Sequence, residues 1–201
     1  MSGRKVKYFN MNYIQKIFTN TLFSSNSLVS KEYLEEMITE CKDIQRQIKT
    51  GGDNWNCNTY NTLGTYELKD NPKFKHLIDI VTDKVNIYAK ELKSNYNYTC
   101  CNSWFNIYKK GDYQEYHYHA GSRFSAIFVL QTPKPYPIVT FENPLPDMLP
   151  LKNLEICDIN AETYHVKDMK ENCLLIFRSY LRHMVSPLQQ DGERISIAFN
   201  F

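Results

Sequence analysis

From residue 102 to residue 131 the chain reads NSWFNIYKKGDYQEYHYHAGSRFSAIFVLQ. Three runs rich in aromatic and β-branched residues are divided by Lys109-Lys110-Gly111 and by Ala120-Gly121-Ser122, turn-forming residues at short intervals. This texture predicts strands over 102–109, 113–119 and 124–131. It continues through 136–141, 154–158, 162–166, 173–178, 182–186 and 194–201. Nine candidate strands in about 100 residues match the density of a double-sheet jelly roll or barrel. The segment 143–153 carries three prolines and reads as a loop at the mouth of that barrel. The last run, 194–201, is expected inside the barrel and not at an exposed edge.

Upstream the periodicity changes from two to about 3.6. Leu34, Met37, Ile38, Cys41, Ile44 and Ile48 form a one-sided stripe after Ser30, a good N-cap, and Gly51-Gly52 is the expected stop. A second stripe, Phe74, Leu77, Ile78, Val81, Val85, Tyr88 and Leu92, follows Asn71-Pro72, a cap with proline at the first helical position. Two helices with one apolar face each are expected to pack on something larger. The chain is read as one domain over 1–201, with 1–98 a mainly helical support and 99–201 the jelly-roll core.

Composition bounds the function. The 201 residues are 42% hydrophobic and 23% charged, ordinary for a globular protein with one good-sized core. Lys plus Arg is 24 against 22 for Asp plus Glu, a formal charge of +2. A nucleic-acid partner is not expected, because counterion release needs a concentrated basic face. Neither a membrane span nor a secretory signal is read, and the expected location is the cytoplasm. The six cysteines, Cys41, Cys57, Cys100, Cys101, Cys157 and Cys173, show no zinc or disulfide spacing and read as reduced thiols.

His117 and His119 are separated by one residue, so on a strand their imidazoles share a face, with Glu115 one step earlier on that face. His183 follows the apolar run Leu174–Phe177 and a short polar turn, which would bring it in from a neighbouring strand. Two imidazoles from one strand and one from another would leave open coordination positions. That layout suits oxygen-activating non-haem iron, whereas a structural zinc site is closed by four ligands. His76 and His165 have no ligand-like neighbours. Farther on, Arg194 and Ser196 share a strand face. A buried arginine needs a partner, either Glu193 or Asp191 or the carboxylate of a bound molecule. Asn106 and Tyr108 alternate with Trp104 on one face and bring hydrogen-bonding groups that burial would have to satisfy.

On these residues the stretch from Trp104 to Phe201 resembles the iron(II)- and 2-oxoglutarate-dependent oxygenases, most closely a bacterial and phage branch distantly similar to prolyl hydroxylases. The matching segments are Gly111–His119, Leu175–Pro187 and Glu193–Phe201. The resemblance implies an α+β fold, a double-stranded β-helix (jelly roll, cupin-like) with N-terminal helices packed on the major sheet. It implies Fe(II), 2-oxoglutarate and O2 as cofactor and co-substrates, with ascorbate a candidate reductant. His117 and His183 match the family's metal histidines, Arg194 and Ser196 its Arg-x-Ser co-substrate element, and Tyr108 a co-substrate tyrosine, with Asn106 beside it. No catalytic group beyond the metal centre is expected.

One departure stands out. The family pattern is His-x-Asp or His-x-Glu, and here the second position is His119. Either three histidines hold the metal or Glu115 or water completes the shell; three histidines are favoured because Glu115 precedes the pair. The implied reaction is oxidative decarboxylation of 2-oxoglutarate to succinate and carbon dioxide, coupled to hydroxylation of a C–H bond. The substrate is a protein or peptide, a prolyl residue first among the expectations, or a small molecule. Two rivals are a cupin-type three-histidine dioxygenase and a non-catalytic jelly-roll binding or sensing module. The former has no role for Arg194 and expects a glutamate that 121–126 lacks.

Overall fold

The computed structural model describes residues 20–48, 56–144 and 163–201. Ten strands and two α-helices occur among them. The helices are α1 (Lys31–Gln47) and α2 (Lys75–Glu91). The strands are β1 (Phe23–Asn26), β2 (Tyr60–Asn61), β3 (Asn102–Tyr108), β4 (Gln114–His117), β5 (Phe124–Gln131), β6 (Val139–Glu142), β7 (Thr163–Val166), β8 (Cys173–Arg178), β9 (His183–Val185) and β10 (Arg194–Asn200).

They form two antiparallel sheets, a six-stranded one in the order β1-β8-β5-β10-β3-β2 and a four-stranded one in the order β4-β9-β6-β7. This is the expected jelly roll. β10 lies between β5 and β3, in the interior of the large sheet. The large sheet is buried on both faces, and period-two alternation divides its residues between two environments. Phe105, Ile107, Phe124, Phe128, Ile195, Ile197 and Phe199 pack against the helices. Tyr108, Ile127, Val129, Leu175 and Phe177 turn instead toward the small sheet, where they meet Val139, Phe141 and Val185.

The helices lie where the stripes put them. Ser30 caps α1, its hydroxyl accepting from the Tyr33 N–H at 3.2 Å. Leu34, Met37, Cys41 and Ile44 are the buried face of α1, and Leu77, Val81, Val85 and Tyr88 that of α2. Two boundaries differ from expectation. Asn71 does cap, accepting from the Lys73 N–H at 3.0 Å, but the turn it starts (Pro72–Phe74) is a 3-10 turn, and α2 begins at Lys75. α1 ends at Gln47, and Gly51-Gly52 lie outside the described residues. So do the predicted strand 154–158, Cys157 and most of the 143–153 loop. Cys41, Cys57, Cys100, Cys101 and Cys173 are free thiols.

β1 and β2, from the half expected to be mainly helical, add the two outer strands of the large sheet. β1 pairs with β8 from Phe23↔Ile176 to Asn26↔Cys173. Among the described residues no helix is long and apolar enough to cross a membrane.

Candidate metal centre and co-substrate pocket

The site lies between the sheets, on the inner faces of β3 and β10 and at the β4–β9 ladder. β10 and β3 are in register with Arg194 opposite Tyr108, Ser196 opposite Asn106, Ala198 opposite Trp104 and Asn200 opposite Asn102. All eight therefore share the inward face. The alternate residues of β10, Ile195, Ile197 and Phe199, anchor the strand in the helix-side core. An apolar outer face thus holds a polar inner one in place.

His117 and His183 are cross-strand partners. The expected strand over 113–119 is shorter than predicted. β4 ends at His117, with a bulge between Gln114 and His117, so His119 does not occupy the next inward position of the same strand. It reaches the site from beyond the strand end, its backbone N–H donating to the Ser179 carbonyl at 2.9 Å. The three rings converge all the same. Centroids are 4.3 Å apart for His117 and His183, 5.1 Å for His117 and His119, and 5.3 Å for His119 and His183. One ligand atom from each lies within 4.8 Å of the others, a spacing that one metal ion can bridge.

Hydrogen bonds orient the rings. The Nδ1–H of His117 donates to the Glu115 carbonyl at 2.8 Å, and that of His183 to the Leu181 carbonyl at 2.9 Å. His119 Nδ1 is 2.7 Å from Asn200 Oδ1, while its Nε2 is buried without a partner among the described residues. A proton on Nδ1 leaves the Nε2 lone pair available to a metal, the usual arrangement of a histidine ligand. Burial lowers the pKa of all three histidines. His119 falls to about 4, with the neighbouring His117 adding to the effect of burial, and His183 falls well below its ordinary value. Neutral imidazoles are the form that binds metal. Trp104 stacks on His119 at 5.5 Å, and Phe177 meets His183 edge-on at 4.6 Å.

Glu115 does not join the group. Its carboxylate accepts from the Asn56 backbone N–H at 3.0 Å, and the metal-capable cluster among the described residues is made of histidines alone. His165 is engaged by the Thr140 and Thr163 hydroxyls, and His76 packs on the Tyr33 ring.

Arg194 is fully buried, and none of its three guanidinium nitrogens has a hydrogen-bond partner among the described residues. The acidic residues nearest in sequence are committed elsewhere, Glu193 to Lys42 and Asp191 to Lys110. Its guanidinium carbon sits 5.5 Å from the centre of the Tyr108 ring. Tyr108, Asn106 and Ser196 line one cavity with the three histidines. Two further residues escaped the sequence reading. Gln114 lines the same cavity and has a buried amide nitrogen that is unpartnered among the described residues; the bulge that turns it inward has no sequence signal. Asn200 holds His119. Continuing the alternation Arg194, Ser196, Ala198 by one step would have marked it.

Residues 102–200 match the family described as "Putative 2OG-Fe(II) oxygenase". Through this region the chain is similar to the 2OG-Fe(II) oxygenases. Solved structures of similar shape include a Pseudomonas putida prolyl-4-hydroxylase, with a TM-score of 0.61 at 14% identity over 90% of this chain and 93% of that one. HygX from Streptomyces hygroscopicus, solved with nickel, 2-oxoglutarate and hygromycin B bound, has a TM-score of 0.59 at 12% identity over 90% and 82%. The viral collagen prolyl hydroxylase of Paramecium Bursaria Chlorella virus-1, in its 2-oxoglutarate complex, has 0.54 at 12% over 89% and 93%. At these identities the likeness establishes the shared fold. No curated protein sequence matches the chain.

The cofactor and co-substrates of a 2OG-Fe(II) oxygenase are iron(II), 2-oxoglutarate and O2. The residues present fit them. Three neutral imidazoles make a metal-binding donor set, and an orphaned buried guanidinium in the same interior calls for an anion.

Proposed function

We propose that His117, His119 and His183 hold iron(II), that Arg194 with Ser196, Tyr108 and Asn106 binds 2-oxoglutarate, and that the chain hydroxylates prolyl residues of a protein or peptide. The observation that carries this reading is Arg194, a fully buried cation with no hydrogen-bond partner among the described residues. Leaving a charge so buried is costly unless a ligand compensates it. The carboxylate of a bound 2-oxoglutarate would do so.

Bound iron(II) and 2-oxoglutarate supply oxidative decarboxylation to succinate and carbon dioxide, coupled to insertion of one oxygen atom from O2 into a C–H bond. The protein's part is placement. The backbone carbonyls of Glu115 and Leu181 keep the protons of His117 and His183 on Nδ1. The Tyr108 phenol and Ser196 hydroxyl can donate to the same carboxylate as Arg194. Trp104, Ile127 and Ala198 form apolar walls that limit water around the reacting groups.

The preference for a peptide is supported by the prolyl hydroxylases among the similar structures, two of which this chain matches over 93% of their length. It is also supported by exposed aromatic residues beside the ligand segments, Tyr118 between two of the histidines and Tyr180 just before the third. The free thiols suit a reducing cytoplasm, and we read the chain as one oxygenase domain with α1 and α2 as its support.

The test is succinate release from 2-oxoglutarate in the presence of proline-containing peptides, with peptide mass rising by one oxygen atom. Anaerobic addition of iron(II) and 2-oxoglutarate should give a metal-to-ligand charge-transfer band in the wild type that is absent in Arg194→Ala. Oxygen addition to a metabolite but to no peptide would replace the peptide by a small molecule. Absence of the band would favour a thiol dioxygenase or a binding module.

A further inference from the structure

We infer that Asn200 is the positioning residue of the third metal ligand, its amide oxygen held between the His119 ring and a buried pair of hydroxyls, Ser125 and Ser179. The inference rests on His119 being a ligand, as proposed above, and extends it to residues that touch no metal.

The geometry is continuous. The Ser179 and Ser125 hydroxyls are 2.8 Å apart, the Ser125 hydroxyl donates to Asn200 Oδ1 at 2.8 Å, and that same oxygen lies 2.7 Å from His119 Nδ1. Ser125 and Ser179 are fully buried and Asn200 nearly so. Because the single Ser125 proton goes to Asn200, Ser179 must supply the donor in the first bond. Asn200 Oδ1 then accepts from two sides, from Ser125 and from His119 Nδ1–H.

The orientation of the Asn200 amide decides the tautomer. With the amide reversed, its NH2 would face Nδ1, the ring proton would move to Nε2, and His119 would present N–H to the other two histidines instead of a lone pair. The arrangement is also anchored in the fold. Asn200 pairs with Ser125 in the β10–β5 ladder, and the His119 backbone N–H donates to the Ser179 carbonyl at 2.9 Å. Trp104 stacks on the face of the ring at an interplanar angle of 26°. His117 and His183 need no such device, because each is oriented by a backbone carbonyl two residues before it. His119 lies beyond the end of its strand, and its Nδ1 is held by a side chain. Its support is neutral throughout, so neither the ligand set nor the groups behind His119 contribute a negative charge to the centre.

The test is cobalt(II) binding to the full-length protein, read by calorimetry and by visible d–d absorption, in wild type, Asn200→Ala, Asn200→Asp and His119→Ala. Asn200→Ala is expected to weaken cobalt binding by about 10- to 100-fold. Asn200→Asp keeps an acceptor in place and is expected to bind at least as tightly as wild type, with a shifted spectrum. A role confined to fold support would not reward a buried carboxylate. If Asn200→Ala is poorly folded, Asn200→Asp decides alone: weaker binding in a folded Asp variant overturns the inference. It is also overturned if Asn200→Ala binds within about threefold of wild type while His119→Ala does not. Unchanged binding in His119→Ala would remove the three-histidine reading itself, and the role of Asn200 with it.

Discussion

Arg194 and Tyr108 are cross-strand partners on β10 and β3, and the guanidinium carbon lies 5.5 Å from the centre of the phenol ring. The aromatic face attracts the cation but offers no acceptor in the plane of its N–H groups. Among the described residues the buried charge is therefore only partly compensated, and on the proposed reading the same pair would bear on both stability and ligand affinity.

Replacing Arg194 by methionine removes the charge and keeps an unbranched apolar chain. The ligand-free variant is expected to be more stable than wild type by about 1–4 kcal/mol, the range seen when buried ionic groups are replaced by apolar ones of similar volume. Its affinity for 2-oxoglutarate should fall roughly 10- to 100-fold, as for loss of hydrogen bonds to a charged group. Urea unfolding and calorimetric titration measure the two effects. A variant less stable than wild type would mean that the guanidinium is satisfied within the fold.

Burial pushes the Tyr108 phenol up to about 12, against the opposing pull of the Arg194 cation. It stays protonated at any working pH and remains a donor. Tyr108→Phe should raise the KM for 2-oxoglutarate about fivefold, the equivalent of one neutral hydrogen bond, by a similar ratio at about pH 6 and about pH 9. A ratio that collapses at the higher pH would mean that the phenol ionises.

Glu40 joins α1 to the turn before α2, accepting from the Asn71 amide at 2.9 Å and pairing with Lys73. The Lys73 hydrogen bond holds its carboxyl below the ordinary value of 4.5. With the folded pKa below the unfolded one, the stabilisation is complete above about pH 4.5 and is lost as pH falls through the folded value. Glu40→Gln should cost up to about 1 kcal/mol at neutral pH. The gap from wild type should close in acid, as thermal midpoints measured against pH would record.

Phe124 is fully buried at the seam between α2 and the large sheet, edge-on to Tyr98 at 4.9 Å and to Tyr88 at 5.5 Å. Phe124→Ala should destabilise the protein by about 3–5 kcal/mol, through lost burial and the cavity left behind. The denaturation midpoint would move with the slope unchanged. A loss below about 1 kcal/mol would mean that the helices contribute little to holding the sheet.

Most of the jelly roll is legible because its strands announce themselves locally. β5, β8 and β10 begin and end within a residue of the aromatic and β-branched runs that predict them. β1 and β2 escape such a reading. Phe23–Asn26 is FSSN, with one large apolar residue, and Tyr60–Asn61 is two residues long. Each is a strand because a neighbouring edge, β8 or β3, offers it backbone partners. The 3-10 turn before α2 is another such case, since Asn71-Pro72 marks where a helix starts but not how tightly its first turn winds.

The candidate site divides along the same line. Residue type and period-two spacing put Tyr108 and Asn106 on one face, Arg194 and Ser196 on another, and mark three histidines as metal-capable, all from neighbours a few residues apart. Only the tertiary structure pairs those two faces across one ladder, draws His119 in from beyond its strand, and turns Glu115 away to Asn56. It alone commits Glu193 and Asp191 to lysines and so leaves Arg194 without an acidic partner among the described residues. Alternation is a property of the backbone within one strand, whereas a side chain's partner depends on which distant strand or loop packs beside it.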